Sequence, residues 1–140
     1  MPDLDKVLAV VCEWVIKAEN DLKNAAHSLK LGEECPTDTV CFHAQQCVEK
    51  YLKALLVWKQ TPFAKTHDIG VIAALVPAEL RPDLTPEEAR RLTKYGTVTR
   101  YPGDDEPISL TEARRAVRLA RRVRTAVRRL LPKETLRRRK

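Results

Sequence analysis

Few side chains in this sequence are equipped to move protons. The histidines are His27, His43 and His67, and imidazole is the side chain whose charge changes most readily near neutral pH. His67 stands in Thr66-His67-Asp68, and Arg100 stands in Thr99-Arg100-Tyr101-Pro102-Gly103. A histidine that transfers a proton and an arginine that stabilises developing negative charge are complementary halves of an acid–base centre. His67 and Arg100 are candidates for such a centre only if the fold brings them together. Each also has a structural reading: Thr-His-Asp is a helix start, and Arg-Tyr-Pro can lock a loop by hydrogen bonds and ring packing.

A second concentration of polar groups lies in TVCFHAQQCVEKYLKALLVWKQ, residues 39–60. His43, Gln46, Lys50 and Lys53 are spaced three, four and three, so they form a polar stripe beside an apolar one, and Glu49 precedes Lys53 by four, the favourable order for an ion pair. From spacing alone the simplest reading is a solvated helix face. Asp104-Asp105-Glu106 are adjacent acids in a Pro/Gly loop, a pattern that reads as solvated rather than metal-binding. Cys12, Cys35, Cys41 and Cys47 form no Cys-x-x-Cys pair, and Cys41 and Cys47 are turned about 240° from each other on a helix. They read as buried thiols, and neither a metal nor a cofactor is expected. Arg114, Arg115, Arg118, Arg121 and Arg122, continued by Arg124, Arg128 and Arg129, give a basic surface suited to phosphate or to an acidic partner.

The elements that must position these groups are helices. Val7, Val11, Val15, Ala18, Leu22, Ala25 and Leu29 recur at helical spacing, which predicts a first helix from about Leu4 to Leu31, with Gly32 at its end. Thr37 or Asp38 caps the second, whose stripe is Val40, Ala44, Cys47/Val48, Tyr51, Leu55 and Trp58; Thr61-Pro62 stops it. A short third helix follows Asp68. Thr85-Pro86-Glu87-Glu88 starts a fourth, about Pro86 to Tyr95. Ser109 or Thr111 starts a fifth that runs to about Leu131. The connection between the last two, YGTVTRYPGDDEPIS, is long enough to be a functional loop.

The 140 residues hold four glycines and are rich in Leu, Ala, Arg, Lys and Glu, the composition of one helical domain. Residues 1–131 form that domain, and 132–140 read as a frayed basic tail. Residues 111–140 carry thirteen Lys/Arg against two Asp/Glu, whereas the remainder carries thirteen against seventeen, so a mildly acidic body ends in a strongly basic segment. No apolar run is long enough to span a membrane. The acidic start MPDLDKVLAV lacks the pattern of a signal peptide, which places the chain in the cytoplasm as an expectation.

The combination KAENDLKNAAHSL, CFHAQQCVEKYLKALLVWKQ, THDI, TRYPG and ISLTEARRAVRLA resembles the HEPN family, the small stand-alone prokaryotic members above all, over about Glu13 to Leu130. The resemblance implies an all-α, antiparallel up-and-down bundle of four to five helices, usually a homodimer. It implies a toxin-like or interaction subunit of a toxin–antitoxin pair with a minimal nucleotidyltransferase, able to bind nucleotide or RNA. The ligand-contacting candidates on this reading are Gln46, Glu49, Lys50, Lys53, Arg100 and Tyr101, lining a groove beside the TRYPG loop. Many family toxins are metal-independent ribonucleases with an Arg followed four to six residues later by a His. No histidine here follows an arginine at that spacing, so an active ribonuclease would have to bring His67 and Arg100 together in space. A helical adaptor without ligand is the remaining alternative.

Overall fold

The computed structural model describes residues 3–96 and 106–137. Among them are five α-helices and no strand: α1 (Leu4–Leu29), α2 (Thr37–Trp58), α3 (Ile69–Leu75), α4 (Pro86–Gly96) and α5 (Leu110–Arg128). The candidate residues Arg100 and Tyr101, and Asp104 and Asp105 with them, lie outside the described residues.

The apolar stripe of α1 buries Val11, Val15, Ala18, Leu22 and Ala25. The helix stops at Leu29, short of the predicted Leu31. Lys30 and Leu31 instead form a turn whose amides donate to the carbonyls of His27 and Ser28, and Gly32 takes φ +61°, a conformation that costs a residue with a Cβ. α2 starts at Thr37 but uses neither predicted cap: the cap position is Pro36. The Thr37 hydroxyl donates across the fold to the Ile108 carbonyl at 2.7 Å, and Asp38 accepts only from the neighbouring Thr39 amide.

More than half of α2 is buried, because α1, α3, α4 and α5 all pack on it. It ends in a Schellman turn. The Thr61 amide donates to Leu56 O and the Gln60 amide to Val57 O, with Gln60 at φ 54° where a glycine is usual. Asp68 caps α3 by accepting from the Val71 amide. Thr85 and Glu88 cap α4 reciprocally, each side chain bonded to the other's amide. Ser109 caps α5 through the Glu112 amide.

Cross-helix contacts give the directions. Trp14, Glu19 and Asp21 of α1 meet Lys53, Tyr51 and His43 of α2, so these two run antiparallel. Glu88 and Tyr95 of α4 meet Arg122 and Glu112 of α5, which are antiparallel in turn. Thr37 and Tyr51 of α2 meet Ile108, just before α5, and Arg128 at its end, so α5 runs parallel to α2 and opposes α1. The result is an up-down-up-down bundle of α1, α2, α4 and α5, with α3 bridging α2 and α4. After α5, Lys133–Leu136 form a 3₁₀ turn against α1, with Thr135 buried and Leu136 packed on the core. No helix among the described residues is long and apolar enough to cross a membrane.

Candidate functional site

The polar face of α2 is largely withdrawn from solvent. Gln45, Glu49 and Lys53, at helical steps of four, are 0%, 3% and 7% exposed, while His43, Gln46 and Lys50 of the stripe are half-buried. A carboxylate and an ammonium can be buried only if they are paired and hydrogen-bonded, and the site is built to do this. Glu49 Oε1 accepts from Gln45 Nε2 and from His67 Nδ1, both at 2.9 Å, and Oε2 accepts from Lys53 Nζ at 3.0 Å. The predicted Glu49–Lys53 ion pair is present, inside the protein rather than on it. Gln46 Nε2 donates to Gln45 Oε1 at 2.7 Å, fixing the orientation of that amide. The Lys53 ammonium lies 5.6 Å from the Trp14 ring centre and 5.8 Å from that of Phe63, where a cation is favoured by the ring faces. Burial works to raise the Glu49 pKa, but the hydrogen bonds from Lys53, His67 and Gln45 outweigh it and hold the carboxyl below its ordinary value.

His67 differs from its partners. Its side chain is 62% exposed although its Nδ1 is tied to a buried carboxylate. Asp68, not His67, caps α3, and the Thr66 hydroxyl accepts from the Asp68 amide. The imidazole is therefore anchored at one nitrogen by Glu49, on a side chain that is otherwise largely exposed. A neutral ring donating from Nδ1 carries its lone pair on Nε2, the arrangement by which a carboxylate orients a histidine for acid–base or ligand contact. Gly96 closes the site from α4. A Cβ there would stand 2.5–2.8 Å from the Gln45 carboxamide, so the helix end lies directly over the Gln45–Glu49 pair.

Two further carboxylates on α1 are clamped in the same manner. Asp21 accepts from His43 Nδ1 at 2.7 Å and from Lys50 Nζ. Glu19 takes a bidentate pair from Arg124 at 2.7 and 2.9 Å and the Tyr51 hydroxyl at 2.6 Å, with Arg128 donating to Tyr51 Oη at 3.2 Å. Burial raises the Tyr51 pKa and its hydrogen bond to Glu19 raises it further, so the phenol stays a donor. Burial opposes ionisation of Glu19 too, and the Arg124 and Tyr51 bonds overcome it and lower its pKa.

Of the ligand-contacting candidates, the structure brings together Gln46, Glu49 and Lys53, with the catalytic candidate His67 beside them. It places Lys50 in the separate Asp21 cluster. Gln45, Asp21, Glu19, Trp14 and Gly96 belong to these clusters and were not among the candidates. Asp21 and Glu19 had a signal: Asp21 lies three and four residues from stripe positions Ala18 and Ala25, and Glu19 four and three from Val15 and Leu22, so each sits at the edge of the buried face.

The basic surface divides. Arg124 and Arg128 turn inward to Glu19 and Tyr51, against the expectation that they continue the row. Arg114, Arg115, Arg118, Arg121, Arg122 and Arg129 are exposed. Arg122 pairs with Glu88; among the described residues the other five have no ion-pair partner. No group of three or more potential metal ligands occurs among the described residues.

The fold is matched by solved structures. The crystal structure of TT1696 from Thermus thermophilus superposes with a TM-score of 0.71 at 31% identity, covering 86% of this chain and 98% of that one. That of ST0689, an archaeal HEPN homologue, superposes with a TM-score of 0.65 at 27% identity, covering 86% and 96%. No curated protein matches the chain. The HEPN domain model matches residues 11–130, a span that begins in α1, takes in all three clamped carboxylates and His67, and ends just past α5; the chain belongs to the HEPN family.

Proposed function

We propose that this chain is the interaction subunit of a two-component system, a homodimeric HEPN protein that pairs with a minimal nucleotidyltransferase and takes a nucleotide or RNA phosphate at His67. One observation carries the ligand site: a buried carboxylate, Glu49, holds Nδ1 of a histidine whose ring is exposed. Glu49 and Lys53 neutralise each other, and a His67 ring that carries both protons donates from Nδ1 to Glu49 and from Nε2 to a phosphate oxygen. Family membership supports the nucleotidyltransferase partner and the dimer.

The test is titration calorimetry with ATP and with a short oligoribonucleotide, on the wild type and on His67→Ala. Loss of at least about tenfold in affinity, with helicity unchanged, supports the site. Equal binding by both proteins removes His67 from it. A second reading is favoured by the same geometry: His67 as the acid–base group of a metal-independent ribonuclease, with Arg100 as the cation. Cleavage of RNA in chelator by the wild type, abolished in both His67→Ala and Arg100→Ala, would establish that reading in place of the first. Co-expression with the reading frame beside this gene tests the partner.

A further inference from the structure

α5 presents a surface of unusual uniformity. At 100° per residue, Thr111, Arg114, Arg115, Arg118, Arg121, Arg122, Thr125 and Arg129 fall within a sector about 120° wide. All eight are exposed. The opposite side is apolar and buried, with Ala113, Ala116, Val117, Ala120, Val123 and Val127 against the bundle. The exposed sector thus holds six arginines, two threonines, no acid and no apolar side chain. Along the axis the arginines extend over about 22 Å.

The composition decides what can dock there. A stable protein interface needs a desolvated core with aromatic or aliphatic anchors, and this face has none; the exposed large apolar residues Leu4, Val10, Leu31, Phe42, Val71 and Leu75 all lie on other elements. A single-strand platform needs aromatic rings on which bases stack, and this face has none of those either. Five of the six guanidinium groups have no ion-pair partner among the described residues, and such groups on a rigid helix suit fixed phosphates. α5 is packed on its other sides against α1 and α2 and tied to α4 through Arg122 and Glu88, so it offers a duplex one fixed strip of charge, best used where two phosphate rows lie close together, as they do across the narrow A-form groove and not across the wide major groove of B-form DNA. It can lie across the phosphate rows that flank the narrow major groove of A-form RNA.

We propose that the exposed face of α5 docks the sugar–phosphate backbone of double-stranded RNA, without reading its sequence. This surface is separate from His67 and stands on its own observation.

The experiment is fluorescence anisotropy with a labelled RNA duplex of about 20 base pairs, long enough to offer both phosphate rows, the matching DNA duplex and a single-stranded oligouridylate, at salt from about 50 to about 200 mM. The wild type binds duplex RNA in the micromolar range, more tightly than the other two, and log K falls with log salt with a slope of about −3 to −4, as expected for about four phosphate contacts. Arg114→Gln/Arg118→Gln/Arg121→Gln loses at least about tenfold at the lowest salt, and the slope becomes shallower by about 2 to 3. The same three positions changed to Lys keep the charge and most of the slope, which separates lost contacts from lost folding. His67→Ala leaves the duplex curve unchanged, so this proposal and the ligand site fail independently. Absence of duplex binding at the lowest salt, equal or tighter binding of DNA or single strands, an unchanged triple-Gln variant, or a triple-Gln variant that loses only association with an acidic protein each overturns it.

Discussion

Glu49 shows what a single buried carboxylate asks of its neighbours. Removing its charge while keeping its shape, in Glu49→Gln, leaves the Lys53 ammonium buried without a counter-charge. Breaking one side of such a pair destabilises by about 3 kcal/mol, so urea unfolding at neutral pH should show a loss of that order; a loss under about 0.5 kcal/mol would mean that Lys53 reaches water at little cost. The loss also depends on pH. The folded Glu49 pKa lies below its ordinary value of 4.5, so its contribution is complete above that value and disappears as pH falls through the folded pKa. The difference between wild type and Glu49→Gln should therefore narrow below about pH 4.5, and a difference that widens on acidification would contradict the lowered pKa. The clustering of Gln45, Glu49 and Lys53 was half legible in the sequence. Glu49 and Lys53 are spaced for an ion pair, and Lys53 belongs to a polar stripe with His43, Gln46 and Lys50, but Gln45 stands outside that stripe, and a stripe has no address until the partner chain segments are placed. The residues that bury this stripe, Trp14, Phe63 and Gly96, lie far before Lys53 in α1, in the loop after α2, and at the far end of α4.

At the scale of elements, apolar periodicity and caps locate the helices well, because each signal is local. Thr85 with Glu88, Ser109 and Asp68 cap where their types predict. Helix ends set by long-range contacts are less readable: Thr37 spends its hydroxyl on Ile108, seventy-one residues away, and the last turn, Lys133–Leu136, is ordered by packing on α1 rather than by any propensity of its own. The end of α2 has a different weakness. Gln60 occupies the left-handed position of a Schellman turn, where a side chain costs about 1 kcal/mol. Gln60→Gly should raise stability by about 0.5 kcal/mol or more, the added flexibility of the unfolded glycine offsetting part of the relief. Thermal unfolding measures it; a lower midpoint would show that the Gln60 side chain contributes something the backbone conformation does not reveal.

Over the whole molecule, the charged groups divide between inside and outside. Glu19, Asp21 and Glu49 tie α1, α2, α5 and the start of α3 to one another from within, while the arginines left over gather on the outer sector of α5. The sequence shows the excess of positive charge, yet not which arginines are already spoken for, since Arg124 and Arg128 are indistinguishable by type from Arg121 and Arg129. The four cysteines, none in a disulfide, carry one more consequence. All are buried, Cys41 and Cys47 completely and Cys12 and Cys35 at 5% and 8% exposure, and burial pushes the thiols of Cys35 and Cys47 up, away from the reactive thiolate. An alkylating reagent added to the native protein therefore meets two pairs of reporters at different depths. Cys35, in the turn between α1 and α2, should react through local opening, whereas Cys41 and Cys47 should wait for the bundle to come apart. Mass spectrometry of a labelling time course would read local and global opening from one untagged sample, and simultaneous labelling of all four would show that the hairpin turn opens only with the whole fold.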